Sequence, residues 1–327
     1  MPALEKYTDE ELAAFPVDIR AYLLGWHLVF DAYNQAPLQV RKQYTESLKA
    51  DNSLNTLLEL MFDILGHSAG QALNLDKSTF SVEHIRLYDI TQSDEGSPER
   101  DMQWLLVHLF YLSLKFLPGL VKSWYLDLRS KQTKIALDSW MAKYYAPLLI
   151  SDALDEVNDW ASSQEAPQED EKELRVRVNR MAKEISAGYE IDEEFASIAI
   201  KIPAGYPLES VEVIGENRVA VNEKKWQSWV RATQGVITFA NGSITDGLAA
   251  FRRNIIGALK GHTECPICYA VVSADKKLPD KRCGTCNNLF HRLCLYKWFQ
   301  NSNKNTCPLC RNPIDYLGSS TRRGGGD

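Results

Sequence analysis

No cysteine occurs in the first 264 residues of this 327-residue chain. That absence excludes a thiol nucleophile and a disulfide framework from everything before Cys265. An apolar leader is missing too: Met1 to Arg20 carries Glu5, Asp9, Glu10 and Glu11, which is not the pattern of a signal peptide and gives no reason to expect an oxidising compartment. Long apolar runs are also scarce. The best one, Met102 to Leu117, is interrupted by Gln103, His108 and Lys115 and stopped by Pro118, short of the roughly 20 residues a membrane span needs. A buried helix is expected there, and no membrane partner.

The chain does hold seven cysteines, all between Cys265 and Cys310. With His291 they form four spaced pairs: Cys265 and Cys268, Cys283 and Cys286, His291 and Cys294, Cys307 and Cys310. A two-residue gap lets one tight turn aim two ligands at one ion, and zinc takes four thiolate or imidazole ligands tetrahedrally. Eight ligands therefore predict two closed zinc sites. Ligand order alone leaves two finger types open, a RING variant and a plant homeodomain finger.

The residues between the ligands carry the resemblance. Ile267 lies between the first two ligands, Trp298 lies four after the sixth, and Pro308 and Leu309 follow the seventh. A histone-reading finger normally has an aromatic residue where Asn305 stands. This segment resembles a RING domain with cysteine as fourth and histidine as fifth ligand. The resemblance implies a cross-brace, with Cys265, Cys268, His291 and Cys294 on one zinc and Cys283, Cys286, Cys307 and Cys310 on the other. It also implies that Ile267, Trp298, Pro308 and Leu309 form a shallow groove for a ubiquitin-conjugating enzyme charged with ubiquitin. Arg311 sits where many RING ligases place a basic residue that contacts ubiquitin and the conjugating enzyme together; its planar charged fork suits that bridging. With every cysteine assigned to zinc, no covalent ubiquitin intermediate is available on the chain. Transfer must come from positioning.

Upstream, alternation in Leu174–Val178 and Ala196–Ile202 predicts half-buried strands, with further strands at Val211–Ile214 and Arg218–Val221. Helical patterning resumes at Asn222, with Trp226, Trp229 and Val230 on one face, and again from Asp246 to Leu259. A meander with Tyr206-Pro207 after its second strand and helices behind it resembles the RWD fold, a relative of conjugating enzymes, here without any cysteine. The order of RWD-like domain and RING, with the segments Tyr206–Val213, Asn241–Leu248 and Cys294–Phe299, resembles the listerin family of ubiquitin ligases. That resemblance implies action on stalled nascent chains at the large ribosomal subunit, with other ribosome quality control factors as partners, in the cytosol.

The first half reads as helices. Leu54, Leu57, Leu58, Met61 and Ile64 make one apolar face, and Ser97-Pro98 is a cap followed by proline at the first helical position. By resemblance it is the end of an array of paired-helix HEAT repeats. The expected organisation is a helical HEAT-like region at 1–151, a helical then flexible boundary at 152–172 centred on Ala161–Asp170, an RWD-like domain with antiparallel sheet and helices at 173–261, a cross-brace RING at 262–316 and a flexible tail at 317–327. The formal charge of −6 divides unevenly: −12 over residues 1–170, +1 over 171–261 and +5 over 262–327. Lys224, Lys225, Arg252 and Arg253 are candidate phosphate contacts. The rival functions are a zinc-finger scaffold without catalysis and a histone-tail reader.

Overall fold

The computed structural model describes residues 16–67, 72–89, 102–163, 174–192 and 194–314. The first half is helical: α1 (Val17–Gln35), α2 (Leu38–Ala50), α3 (Ser53–Ile64), a short α4 (His84–Leu87), α5 (Met102–Phe116), α6 (Pro118–Asp127), α7 (Lys131–Trp140) and α8 (Ala146–Ser162). Spacing explains how they pack. α3 buries Leu54, Leu57, Leu58 and Met61, one stripe at helical period. α5 is buried from Trp104 through Tyr111, and lies against α1, α3, α4 and α6 as the central rod. Pro118 opens α6 at its first turn, where its missing N–H costs nothing. No single described helix is long and apolar enough to cross a membrane, and the α5–α6 pair is bent by 107° at its break.

A π-helical turn, Met141–Tyr145, joins α7 to α8. Pro147 in the first turn of α8 has no N–H to return to Lys143, so the ladder widens there. α8 then serves two cores. Leu148 and Leu149 join the helical core, while Ile150, Leu154 and Val157 join the core of the sheet.

That sheet is an antiparallel meander, β1 (Leu174–Asn179), β2 (Glu184–Ile191), β3 (Glu194–Lys201) and β4 (Glu212–Asn217), in the order 1-2-3-4. Ile185, Ala187, Tyr189 and Ile191 alternate inward on β2, in register with Ile200, Ile198 and Ala196 of β3. The inner face is covered by α8, by α9 (Glu223–Phe239) and by α10 (Ile244–Leu259). Asn222 caps α9 through the Lys225 N–H, and Ser243 with Asp246 forms a capping box on α10. The Tyr206–Pro207 peptide is cis, and Tyr206 packs against both cores.

Two strand expectations are corrected. The stretch Arg218–Val221 is a loop, with Ala220 in the left-handed region at φ 66°, which breaks regular strand pairing. β2 is an additional strand, unforeseen because Ser186, Ala187 and Gly188 dilute its alternation. The Ser97-Pro98 cap, most of the Ala161–Asp170 stretch and the tail after Ile314 lie outside the described residues.

The zinc-ligand segment follows α10: a hairpin of β5 (Lys281–Arg282) and β6 (Leu289–Phe290), then α11 (Arg292–Ser302). It is fastened to the sheet. The Val272 N–H donates to Asp192 Oδ2 (2.7 Å), the Ala220 N–H to the Lys276 carbonyl (2.9 Å), and Lys276 Nζ to Asn217 Oδ1 (2.7 Å). Val272 is buried in the sheet core, with Leu278 half-buried beside it.

Candidate metal centres and the surface beside them

Three of the ligand pairs sit in one repeated backbone turn. The N–H of the residue after the second cysteine returns to the carbonyl of the first: Tyr269 to Cys265 (2.8 Å), Asn287 to Cys283 (3.0 Å) and Arg311 to Cys307 (3.0 Å). The first cysteine's own N–H is taken by the next carbonyl along, from Ala270, Asn288 and Asn312. Closing such a turn requires a left-handed residue, and Tyr269, Asn287 and Arg311 have φ of 59°, 59° and 62°. The fourth pair uses a helix start instead. His291 is the N-cap of α11 and Cys294 lies in its first turn, where helix N–H groups favour a thiolate.

Folding brings the pairs together as one with three and two with four. Cys265, Cys268, His291 and Cys294 form one cluster, and Cys283, Cys286, Cys307 and Cys310 the other, each with ligand atoms within 4.8 Å of one another. The fit to zinc is quantitative. Four sulfurs about 2.3 Å from a central ion lie about 3.8 Å apart; Cys283 Sγ to Cys310 Sγ and Cys286 Sγ to Cys307 Sγ are both 3.7 Å. In the first cluster His291 Nδ1 lies 3.3 Å from Cys268 Sγ and 3.8 Å from Cys294 Sγ. Its Nε2 is 3.1 Å from the Val271 carbonyl, which can only accept, so Nε2 carries the proton and Nδ1 is left for the metal.

Crowded thiols need the cation. Burial, with the neighbouring Cys268 and Cys265 sulfurs, pushes Cys294 up to about 12, and burial likewise pushes Cys307 up to about 12. In the second site hydrogen bonds from Asn288 already hold Cys286 down at about 6, and a divalent ion makes the full set of four deprotonated ligands favourable. The finger binds two zinc ions, and its core is otherwise small: Phe290, Leu295 and Ile314 besides the buried cysteines.

The remaining predicted site residues lie on the outside. Ile267 is half-buried against the zinc core. Trp298 is 36% exposed, and its Nε1–H donates to the Thr306 carbonyl (3.0 Å), holding the indole beside the last turn. Leu309 is 50% exposed, Pro308 is half-buried and Arg311 is exposed. Of the basic pairs, Lys224, Lys225 and Arg253 are exposed and Arg252 is half-buried. Asp192 and Lys276, which join the finger to the sheet, had no signal in sequence because their partners lie 80 and 59 residues away.

Three families match along the chain: "LTN1 family HEAT repeat region" over residues 1–158, "Ubiquitin conjugating domain-like" over 174–256 and "Ring finger domain" over 263–311. Longer relatives named E3 ubiquitin-protein ligase listerin match as well. The Neurospora crassa protein is 94% identical across 100% of the chain, the Schizosaccharomyces pombe protein 36% across 91% and the Saccharomyces cerevisiae protein 32% across 90%. The chain spans only 20%, 18% and 19% of those relatives' lengths.

Proposed function

The chain belongs to the listerin family of E3 ubiquitin-protein ligases, and from that premise we propose that it promotes ubiquitin transfer from a charged conjugating enzyme to stalled nascent chains on the large ribosomal subunit, in the cytosol. The observation that carries this reading is the exposed Trp298, pinned to Thr306 beside Leu309 and Arg311 on the last zinc turn. Ile267, Trp298, Pro308 and Leu309 receive the conjugating enzyme, and Arg311 reaches from it to ubiquitin. Zinc supplies no chemistry beyond holding the turns. With all seven cysteines in the two clusters, ubiquitin passes from the conjugating enzyme's thioester straight to the acceptor amine, an isopeptide bond forming as the enzyme's thiol leaves, and the chain contributes geometry and a fixed positive charge. A histone-reading role finds no support, since Asn305 stands where its aromatic residue belongs.

The test is single-turnover discharge of ubiquitin from a charged conjugating enzyme onto free lysine, with and without the chain. Acceleration that disappears on chelation is expected; no acceleration with any of a broad panel of conjugating enzymes sinks the reading. The ribosomal part is tested by co-sedimentation of the whole chain with purified large subunits. Binding should weaken steeply with salt through counterion release, and charge reversal at Lys224 and Arg253 should reduce it without slowing discharge onto lysine.

A further inference from the structure

The first and last zinc turns are copies of one another, and the copy extends to the side chains on the proposed docking surface. Ile267 stands two residues after Cys265 as Leu309 stands two after Cys307, and Tyr269 stands to Ile267 as Arg311 stands to Leu309. The backbones match: φ is 59° at Tyr269 and 62° at Arg311, and each N–H returns to its first cysteine. This left-handed position favours glycine or asparagine, which the second turn has at Asn287. Tyrosine gains nothing from the fold there. The residue is 77% exposed and its side chain, among the described residues, makes no hydrogen bond or ring contact. A large aromatic side chain held outward at a conformationally unfavourable site points to a ligand.

Resting on the docking role proposed above, we infer that Tyr269 is a further contact for the conjugating enzyme, packing its ring on apolar side chains at the Ile267 end of the groove. In the docking role proposed above, Arg311 is the residue that reaches ubiquitin. The pseudo-symmetry divides the labour: Tyr269 meets only the body of the conjugating enzyme, in its charged and free forms alike, and Arg311 acts once ubiquitin is present. Continuity with the groove selects this occupant over any other.

The experiment compares Tyr269→Asn, Arg311→Asn and Trp298→Ala in the full chain, with a conjugating enzyme chosen because the unmodified chain discharges its thioester. Asparagine suits a left-handed backbone, so Tyr269→Asn should keep two zinc ions by native mass spectrometry and melt no lower than the parent. Its affinity for the conjugating enzyme should fall about tenfold, equally with and without ubiquitin, while discharge at saturation is unchanged. Arg311→Asn should show the reverse split. Unchanged affinity in Tyr269→Asn beside a large loss in Trp298→Ala overturns the inference and leaves the docking role standing. Unchanged affinity in both overturns the docking role itself. Zinc loss or a lower melting temperature in Tyr269→Asn makes the tyrosine structural and also overturns the inference.

Discussion

Trp298 uses the two ends of one side chain for different purposes. Its indole N–H is spent on the Thr306 carbonyl, which orients the ring, and the ring itself stays outside the zinc core of Phe290, Leu295 and Ile314. Removing it should therefore not unfold the finger. Trp298→Ala is expected to retain both zinc ions, with binding of the conjugating enzyme weakened by more than about 2 kcal/mol, as for an aromatic anchor at the centre of a small interface. Isothermal titration beside native mass spectrometry checks this, and zinc loss would place the indole in the core after all. Cys283 is the opposite case. It is fully buried, and its sulfur lies 3.7 Å from Cys310, so Cys283→Ser breaks a site whose metal supplies roughly 10–16 kcal/mol of apparent binding energy. The finger should lose its proteolytic resistance in that variant while helical circular dichroism from α1–α8 persists. These ligands are legible in the sequence because metal chemistry dictates residue identity and spacing together. Tyr269 is not, since an exposed aromatic residue means little until its backbone conformation is known.

Junctions between elements are where sequence reading runs out, and the Asn241–Leu248 motif shows why. Asn241 has φ 49° and is buried, and its Oδ1 accepts the N–H of Gly119 at the start of α6 (2.8 Å). Gly242 lies so near the Val236 carbonyl that a Cβ would come within 2.8 Å, and Ser243 then opens the capping box of α10, whose Asp246 also receives Arg41 from α2 (2.8 Å). The capping signal is local and readable; the partners in α2 and α6 are set by tertiary packing, 205 and 122 residues away. For the same reason α8 reads as the beginning of a boundary but is shared by two cores, and β2 is recognisable mainly through its register with β1 and β3. A double-mutant cycle tests the junction. A Cβ on Gly119 would sit 2.9 Å from Asn241 Oδ1, so Gly119→Ala forces a shift in a half-buried contact and should destabilise by about 1–3 kcal/mol. Asn241→Gly keeps the left-handed backbone but orphans the Gly119 N–H, costing a similar amount. The double variant should lose less than the sum, because removing the amide makes room for the methyl. Strict additivity in urea denaturation would mean that the two residues do not communicate.

At the scale of the whole molecule, acid acts on the two ends of the chain by different routes. The helical half buries two histidines. His67 packs against the rings of Phe62 and Trp140, neither of its ring nitrogens is hydrogen-bonded among the described residues, and burial lowers it to about 4. His108 donates from Nδ1 to the Ile85 carbonyl (2.8 Å) and stacks between Tyr88 and His27; burial lowers it to about 4, although that hydrogen bond and Asp31 pull the other way. The sign follows from proton uptake. An unfolded histidine titrates near 6.5, so between about 6.5 and 4 the unfolded chain binds protons that the folded chain refuses, and stability falls as pH falls through that window. Two such groups amount to about 3 kcal/mol each when fully expressed, enough to remove much of the margin of a domain. The finger answers to acid through its ligands: protons compete with zinc for seven thiolates and His291, and the metal leaves with its fold. Thermal melts from pH 7.5 to 4.5 should therefore show the helical transition moving down in temperature, and a metallochromic dye should report zinc release. His67→Phe separates the two routes. A phenyl ring fits an aromatic cage that offers the imidazole no hydrogen bond, so this variant should flatten the acid limb of the helical transition while zinc release keeps its pH midpoint. A helical melting temperature that falls as steeply in His67→Phe as in the parent would show that the buried imidazole does not set the acid sensitivity of this half.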